Sequence, residues 1–324
     1  MATDRIVVLA GGVGGAKFVR GLRALARRTS SLPSITVVAN TGDDLWLAGL
    51  RVTPDLDSLL YALADVNDTE RGWGRAGETE RVAAELTAFG VGWPWFTLGD
   101  LDLGTHIART ALLKEGLPLS AVTQRLASRW PIGVRLLPAT DDEVETHVVT
   151  DEGELHFEEW WVRTRAALTA RAFVQHGVEA ARPAAGVEEA IAGADVVLLA
   201  PSNPVVSIGT ILTIPGIRDA LAATSAPVVG LSPVIAGSVV RGMADACLTA
   251  IGVATDAAAI AEHYGARSAG GLLDGWLVDD TDAAAVEILD AAGITARAVP
   301  LWMTDDGLTA TMAAAALDLA AHLR

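Results

Sequence analysis

The chain has 324 residues, 51% of them apolar, and 40 acidic against 24 basic side chains give it a net charge of −16 at pH 7. That length admits one large α/β domain or a core with a smaller lobe, and so acidic a balance excludes a broad nucleic-acid surface, which needs clustered cations to displace counterions. The single cysteine, Cys247, excludes an intramolecular disulfide and reads as a core residue.

No apolar run reaches the roughly 18–20 residues that a bilayer span needs. The N-terminus runs into the first predicted strand without a charged leader, so a cytoplasmic protein without membrane contact is expected. The first element is a strand over residues 6–10, followed by G-G-V-G-G-A-K-F and by apolar residues at Phe18, Val19, Leu22, Leu25 and Ala26 in helical spacing. A strand, a glycine turn and a helix start make a phosphate cradle, because freed N–H groups, the positive end of the helix dipole and the Lys17 ammonium all suit an anion. The dinucleotide fingerprint fits only through Gly12 and Gly14, since Lys17 stands where its third glycine falls. The P-loop fails because Phe18 follows Lys17 where a hydroxyl residue is required. A turn that merely packs helix against strand is the plainer reading. Four glycines and a lysine exceed what packing needs, so Gly11, Gly12, Val13, Gly14, Gly15 and Lys17 are expected to hold a phosphate or diphosphate. Arg20, Arg23, Arg27 and Arg28 are expected on the solvated face and last turn of this helix.

A second strand over residues 35–39 ends in N-T-G-D-D. Asp43 and Asp44 repel each other over a sheet edge unless a cation, partner or solvent relieves them, and a nearby diphosphate worsens that repulsion. Mg2+ resolves both problems, since it takes one or two carboxylates together with phosphate oxygens. P-D-L-D-S follows at residues 54–58 and starts a helix, where Asp55 has an ordinary capping job. Helical patterns continue near 56–64, 78–89, 102–114 and 120–130. Two alternating runs around residues 151–153 then read as a β-hairpin. Within this stretch L-G-D-L-D-L-G-T-H-I-A-R puts Asp100 and Asp102 at a helix start, with His106 and Arg109 three apart on one face. Among the nine tryptophans, Trp73, Trp93, Trp95, Trp160 and Trp161 fall here too, as packing residues or platforms for a flat aromatic substrate. Strands over residues 196–200 and 228–231 end in P-S-N-P and S-P-V-I-A-G. Asn203 could serve a purine or ribose, or simply satisfy its own turn. Strands near 276–278 and 296–301 and a helix over 308–323 close the chain.

Buried parallel strands read as unbroken apolar runs, and ligands bind outside their carboxyl ends. The four strand-end turns should therefore line one crevice. The expected fold is α/β: a Rossmann-like open, mostly parallel sheet with helices on both faces and an inserted helical plus β-hairpin region. It is a single large domain over residues 1–324, with its core at 1–55 and 183–324 and the inserted lobe at about 56–182.

The ordered motifs A-G-G-V-G-G-A-K, N-T-G-D-D-L-W, P-D-L-D-S, R-G-W-G, L-G-D-L-D-L-G-T-H, L-L-P-A-T-D-D, F-E-E-W-W-V-R, A-P-S-N-P-V-V-S-I-G and S-P-V-I-A-G resemble those of the 2-phospho-lactate transferase family of coenzyme F-420 biosynthesis. The G-G-V-G-G-A form resembles its actinobacterial, phosphoenolpyruvate-transferring branch. The resemblance implies a metal-dependent transfer from a guanosine-diphospho lactate or enolpyruvate donor to the terminal ribityl hydroxyl of the deazaflavin Fo, with GMP leaving. It implies a homodimer, guanine-nucleotide contacts from the glycine turn, Lys17, Ser202, Asn203 and Ser232, and Mg2+ on Asp43 and Asp57. Deazaflavin contacts are implied at Asp57, Thr97 and Asp100, although Thr97 departs from the lysine found elsewhere in the family. Asp43, Asp44, Asp57 and His106 are the catalytic candidates, an aspartate of the Asp43-Asp44 pair or His106 taking the proton, and alanine at Asp57 is expected to abolish transfer with the fold intact. Two other classes fit less of the sequence. A nucleotide-sugar-binding regulator with a related glycine opening leaves L-G-D-L-D-L-G-T-H and F-E-E-W-W-V-R unexplained. An NAD-dependent oxidoreductase lacks the third glycine and has Asn40 where an acidic ribose ligand belongs.

Overall fold

The computed structural model describes residues 5–28 and 33–324, so the first four residues of the N-terminal reading lie outside the described residues. Seven strands form one parallel sheet in the order Thr295–Ala298, Gly275–Val278, Val228–Leu231, Val196–Leu199, Arg5–Ala10, Ser34–Ala39, Arg135–Pro138. The central strands are mostly apolar because both of their faces are covered. Val7 and Leu9 of Arg5–Ala10 enter the core on one face, while Ile6, Val8 and Ala10 enter the core on the other. On the second face the helix Gly12–Ala26 buries Phe18, Val19 and Leu22 beside Pro54–Leu63 and Asp306–His322. The first face is covered by Val187–Ala192, Ile208–Thr213, Ile217–Ala223 and Ala257–Tyr264. Cys247 is fully buried in that core.

The chain runs outward from Arg5–Ala10 to Ser34–Ala39 and Arg135–Pro138, then returns to place Val196–Leu199 on the opposite flank. The strand order therefore reverses between Arg5–Ala10 and Val196–Leu199. Helices diverge from such a switch point and leave a crevice at the strands' carboxyl ends.

The Rossmann-like α/β expectation holds, and the sheet is wholly parallel. The predicted hairpin is present as Glu145–Thr150 and Gly153–His156, joined by a third antiparallel strand, Ala170–His176. That strand has a mixed sequence, A-R-A-F-V-Q-H, with no clean alternation. The edge strand Arg135–Pro138 offers only two leucines before a proline, so it too lacks a legible pattern. It lies within residues 56–182 and pairs in register with Ser34–Ala39. Arg23 departs from the solvated position expected of it. It is buried, donates to the carbonyls of Leu63 and, at 3.2 Å, Ile132, and lies 3.3 Å from Asp65. Among the described residues no helix is long and apolar enough to cross a membrane.

Candidate functional site

A cavity of about 620 Å³ opens at the switch point. It is lined by the glycine turn, the Asn40–Asp43 turn's Asp43, the start of Pro54–Leu63, the Pro201–Asn203 turn and the wall residues Trp73, Trp95, Phe96, Trp161 and Trp302. That volume suits a small-molecule ligand with one flat aromatic part. Of the residues expected from sequence, it brings together Gly11, Gly12, Val13, Gly14, Lys17, Asp43, Asp57, Thr97, His106, Ser202, Asn203 and Ser232. Gly15, Asp44 and Asp100 are not on its wall.

The glycine turn is built for close approach. A Cβ on Gly14 would stand 2.6 Å from the Pro201 carbonyl oxygen, one on Gly15 2.7 Å from Ser202 Oγ, and one on Gly11 would overlap Asp55 and Ser207. Gly12 has φ of +61°, in the left-handed region. Close packing thus accounts for Gly11, Gly14 and Gly15, and the left-handed backbone for Gly12. Ser202 locks the two turns together: its Oγ accepts from Gly11 N–H at 3.0 Å and donates to the Gly11 carbonyl at 2.7 Å. Asn203 Oδ1 accepts from the N–H groups of Val205 and Val206, and Ser232 Oγ donates to the Val234 carbonyl. Both side chains therefore serve their own turns, as the plainer reading of Asn203 had it. Lys17 is exposed, its Nζ 3.5 Å from the Met303 carbonyl.

Asp55 does not cap its own helix. Its Oδ1 accepts from Gly12 N–H at 2.7 Å, placing a carboxylate at the N-terminus of the first helix, where the dipole favours it. Asn40 Nδ2 donates to Asp55 Oδ2 at 2.9 Å, and Asn40 Oδ1 accepts from Gly42 N–H at 2.9 Å. Burial pushes Asp55 up to about 6, against hydrogen bonds from Asn40, Gly12 and Ser207. Burial likewise holds Asp43 well above the usual carboxylate range, with Asp55 and Glu158 adding to the effect. Glu158 is pushed up to about 8 by burial, then by Asp55 and Asp44. Asp43 Oδ1 is buried without a hydrogen-bond partner. Asp55 therefore raises the carboxyls of the other two cavity-lining acids by repulsion, with an orphaned oxygen on Asp43, and a divalent cation bound at Asp43 would relieve that repulsion. Asp44, fully buried behind them, lies 3.6 Å from Arg51. Burial also raises its carboxyl well above the ordinary value, more than Arg51 and Arg109 can offset.

Asp57 belongs to a second network. It is ion-paired with Arg109 and accepts from Thr53 Oγ1 at 3.2 Å. Arg109 Nη1 lies 2.9 Å from His106 Nδ1, and His106 Nε2 lies 3.2 Å from Asp102 Oδ1, which accepts from Tyr61 at 2.6 Å. A guanidinium only donates, so Nδ1 accepts from Arg109. Its ring stands between Arg109 and Asp102. Burial alone would raise Asp102, yet His106 and the Tyr61 hydroxyl bring it below its ordinary value. Asp100 faces outward, accepting from the N–H and hydroxyl of Thr79 at 2.9 and 2.7 Å. The helix start beside it is met by Glu78, which accepts from Asp102 N–H at 3.1 Å and pairs with Arg71 of R-G-W-G at 3.0 Å.

Sequence reasoning did not single out Glu158, and gave Asp55 and Tyr61 no ligand role. F-E-E-W-W-V-R carries the glutamate at the end of the hairpin, where the change from strand to the π-helical turn Glu159–Arg163 is the one local sign that its side chain turns inward.

A sequence model of the family described as 2-phospho-L-lactate transferase CofD matches residues 6–302. The chain is 57% identical over 324 residues to a phosphoenolpyruvate transferase of Streptomyces griseus, covering 99% of each. It is 58% identical to that of Streptomyces avermitilis and 57% to that of Thermobifida fusca, again over 99% of each chain. A solved structure of a UPF0052-family protein from Bacillus halodurans superposes with a TM-score of 0.62 at 18% identity, covering 98% of this chain and 99% of that one, a likeness of fold.

Proposed function

Because the chain belongs to the 2-phospho-L-lactate transferase family and is a transferase, we propose that it moves a phosphoenolpyruvyl group, or its 2-phospho-L-lactyl counterpart, from a guanosine-diphospho donor to the terminal ribityl hydroxyl of Fo. GMP leaves, and dehydro coenzyme F-420-0 or coenzyme F-420-0 is formed in the cytoplasm. The names of the relatives favour the enolpyruvyl donor. The observation that carries the reading is the meeting, in one cavity at the switch point, of the glycine turn, the Asp43, Asp55 and Glu158 carboxyls and a tryptophan-rich wall.

The ribityl oxygen attacks the phosphorus that bears the enolpyruvyl or lactyl group. Its new bond to phosphorus forms as the bond to the bridging oxygen breaks, and GMP carries that oxygen away. The hydroxyl proton passes to a carboxylate of the cavity. Asp43 fits that task, because Asp44 is off the wall and His106 Nδ1 is engaged by Arg109. Asp43, with Asp55 and Glu158, would also hold the divalent cation, taken here as Mg2+; Asp57, the other ligand implied by the resemblance, has its charge met by Arg109. Such a cation supplies charge stabilisation on the diphosphate oxygens. Lys17 and the N-terminal turn of the first helix at Val13 and Gly14 would face the leaving GMP, and Trp73, Trp95 and Trp161 offer faces for the deazaflavin. Asp57 and Thr97 border the acceptor, and a homodimer is the expected assembly.

The test is a reaction in Mg2+ buffer with Fo and each guanosine donor supplied separately, products being resolved by mass. Transfer from the enolpyruvyl donor with stoichiometric GMP supports the reading. Nucleotide binding without product from either donor overturns it in favour of a non-catalytic nucleotide-binding regulator.

A further inference from the structure

The three-stranded antiparallel sheet carries a second cluster, away from the cavity wall. Along Glu145–Thr150 the residues Thr146, Val148 and Thr150 are buried, leaving Glu145, His147 and Val149 on the outer face. The register puts His147 opposite His156 on one flanking strand and Val174 on the other, while Glu154 pairs with Val149 and His176 with Glu145. Glu154 and His176 therefore flank His147 diagonally from opposite sides on the same face, within reach of long side chains. His147 Nδ1 lies 3.1 Å and His176 Nε2 2.5 Å from the same Glu154 Oε1. One ligand atom from each of the three residues lies within 4.8 Å of the other two. The His147 and His176 rings stand perpendicular, 4.5 Å between centroids.

We propose that His147, Glu154 and His176 form a binding site for a divalent cation of the zinc class, distinct from the cavity. Two imidazole nitrogens and a carboxylate oxygen are a donor set for Zn2+ and its transition-metal neighbours, whereas Mg2+ and Ca2+ take oxygen ligands. Zinc bonds of about 2.0–2.1 Å in a tetrahedral site put ligand atoms roughly 3.3 Å apart; His147 Nδ1 is already 3.1 Å from Glu154 Oε1, and His176 Nε2, at 2.5 Å from the same oxygen, would move out to admit the ion. The three donors come from three adjacent strands, so register fixes them without a loop having to order. Glu145 stands beside His147 on the same face. Its Oε2 lies 3.7 Å from His147 Nε2, and its Oε1 accepts from Arg51 at 3.5 Å. The partial exposure of all three side chains leaves the fourth position to water. By contrast, the Asp57, Asp102 and His106 cluster in the cavity already contains the Arg109 cation.

A cation here would pin Glu145–Thr150 to both neighbours, and Gly153–His156 leads directly into Phe157 and Glu158 of the cavity wall. The test is titration of the full chain with Zn2+ against a chromophoric chelator, with excess Mg2+ present to fill oxygen-only sites. One equivalent should bind to the wild type, and affinity should fall about tenfold or more in His176→Ala and in Glu154→Gln, since loss of a ligand must exceed the 10–100-fold cost of losing an outer partner. Both side chains are half-exposed, so the variants should melt with the wild type in chelator, and Zn2+ should raise the melting temperature of the wild type alone. Absence of stoichiometric uptake overturns the proposal. Uptake undiminished in both variants also overturns it and moves the ion to the cavity cluster.

Discussion

Replacing Glu158 by glutamine isolates the electrostatic strain in the cavity. Its carboxyl goes from an ordinary 4.5 to about 8 in the fold, burial being the main cause and Asp55 and Asp44 the next. Below 4.5 it is protonated in both folded and unfolded chains. As pH rises towards 8 the unfolded chain sheds the proton and the folded chain keeps it, so stability falls across that window. At ~1.4 kcal/mol per pH unit the whole effect is about 5 kcal/mol. A buried amide without full hydrogen bonding takes back ~1–3 kcal/mol. The Glu158→Gln protein should therefore be no more stable than the wild type at pH 5, and more stable by about 2 kcal/mol at pH 8, in metal-free buffer. Urea unfolding at the two pH values measures the difference. Mg2+ should then stabilise the wild type at pH 8 and close the gap, because a cation replaces the proton among the acids. An equal difference at both pH values would refute the reasoning: Glu158 would not be titrating against its buried neighbours.

Alanine at Asp57 would unpair the buried Arg109 and lose about 3–5 kcal/mol, so the fold would not pass unaffected as the sequence suggested. Asparagine keeps the size, the Thr53 contact and an oxygen for Arg109 to donate to, so Asp57→Asn should lose less stability than alanine, retain the wild-type circular dichroism and lose on the order of 100-fold in kcat, and normal turnover would remove Asp57 from the mechanism. Gly14→Ala drives a Cβ towards the Pro201 carbonyl, which should cost about 1–3 kcal/mol in urea unfolding and weaken GMP binding; an unchanged midpoint would mean the two turns part freely. Lys17→Met should raise the KM of the guanosine donor about tenfold at low salt with kcat nearly unchanged. Equal losses in both constants would assign the ammonium to the transition state instead.

How much of this was legible follows from what each residue answers to. The strands at residues 6–10, 35–39, 196–200 and 228–231 could be read because a strand covered on both faces is a near-continuous apolar run, and the strand order then fixes where their turns meet. Arg135–Pro138 escaped because four residues ending in proline carry too little pattern to separate a sheet edge from a loop. His106 and Arg109 were placed on one face by their spacing, and they do touch. Asp57, the partner of Arg109, and Tyr61, the partner of Asp102, come from another helix, and no local spacing announces that. Asp55 looked like a cap because Pro54–Leu63 starts there; its actual acceptor role is at Gly12, 43 residues earlier. The glycine turn carries the sharper lesson. Its pattern suggested a surplus of backbone donors for a phosphate, yet Gly11 N–H is taken by Ser202 and Gly12 N–H by Asp55. A glycine-rich strand-to-helix turn therefore does not by itself identify an anion site. What gives this one chemical meaning is its location at the reversal of strand order, facing carboxyls whose mutual repulsion the protein leaves uncompensated.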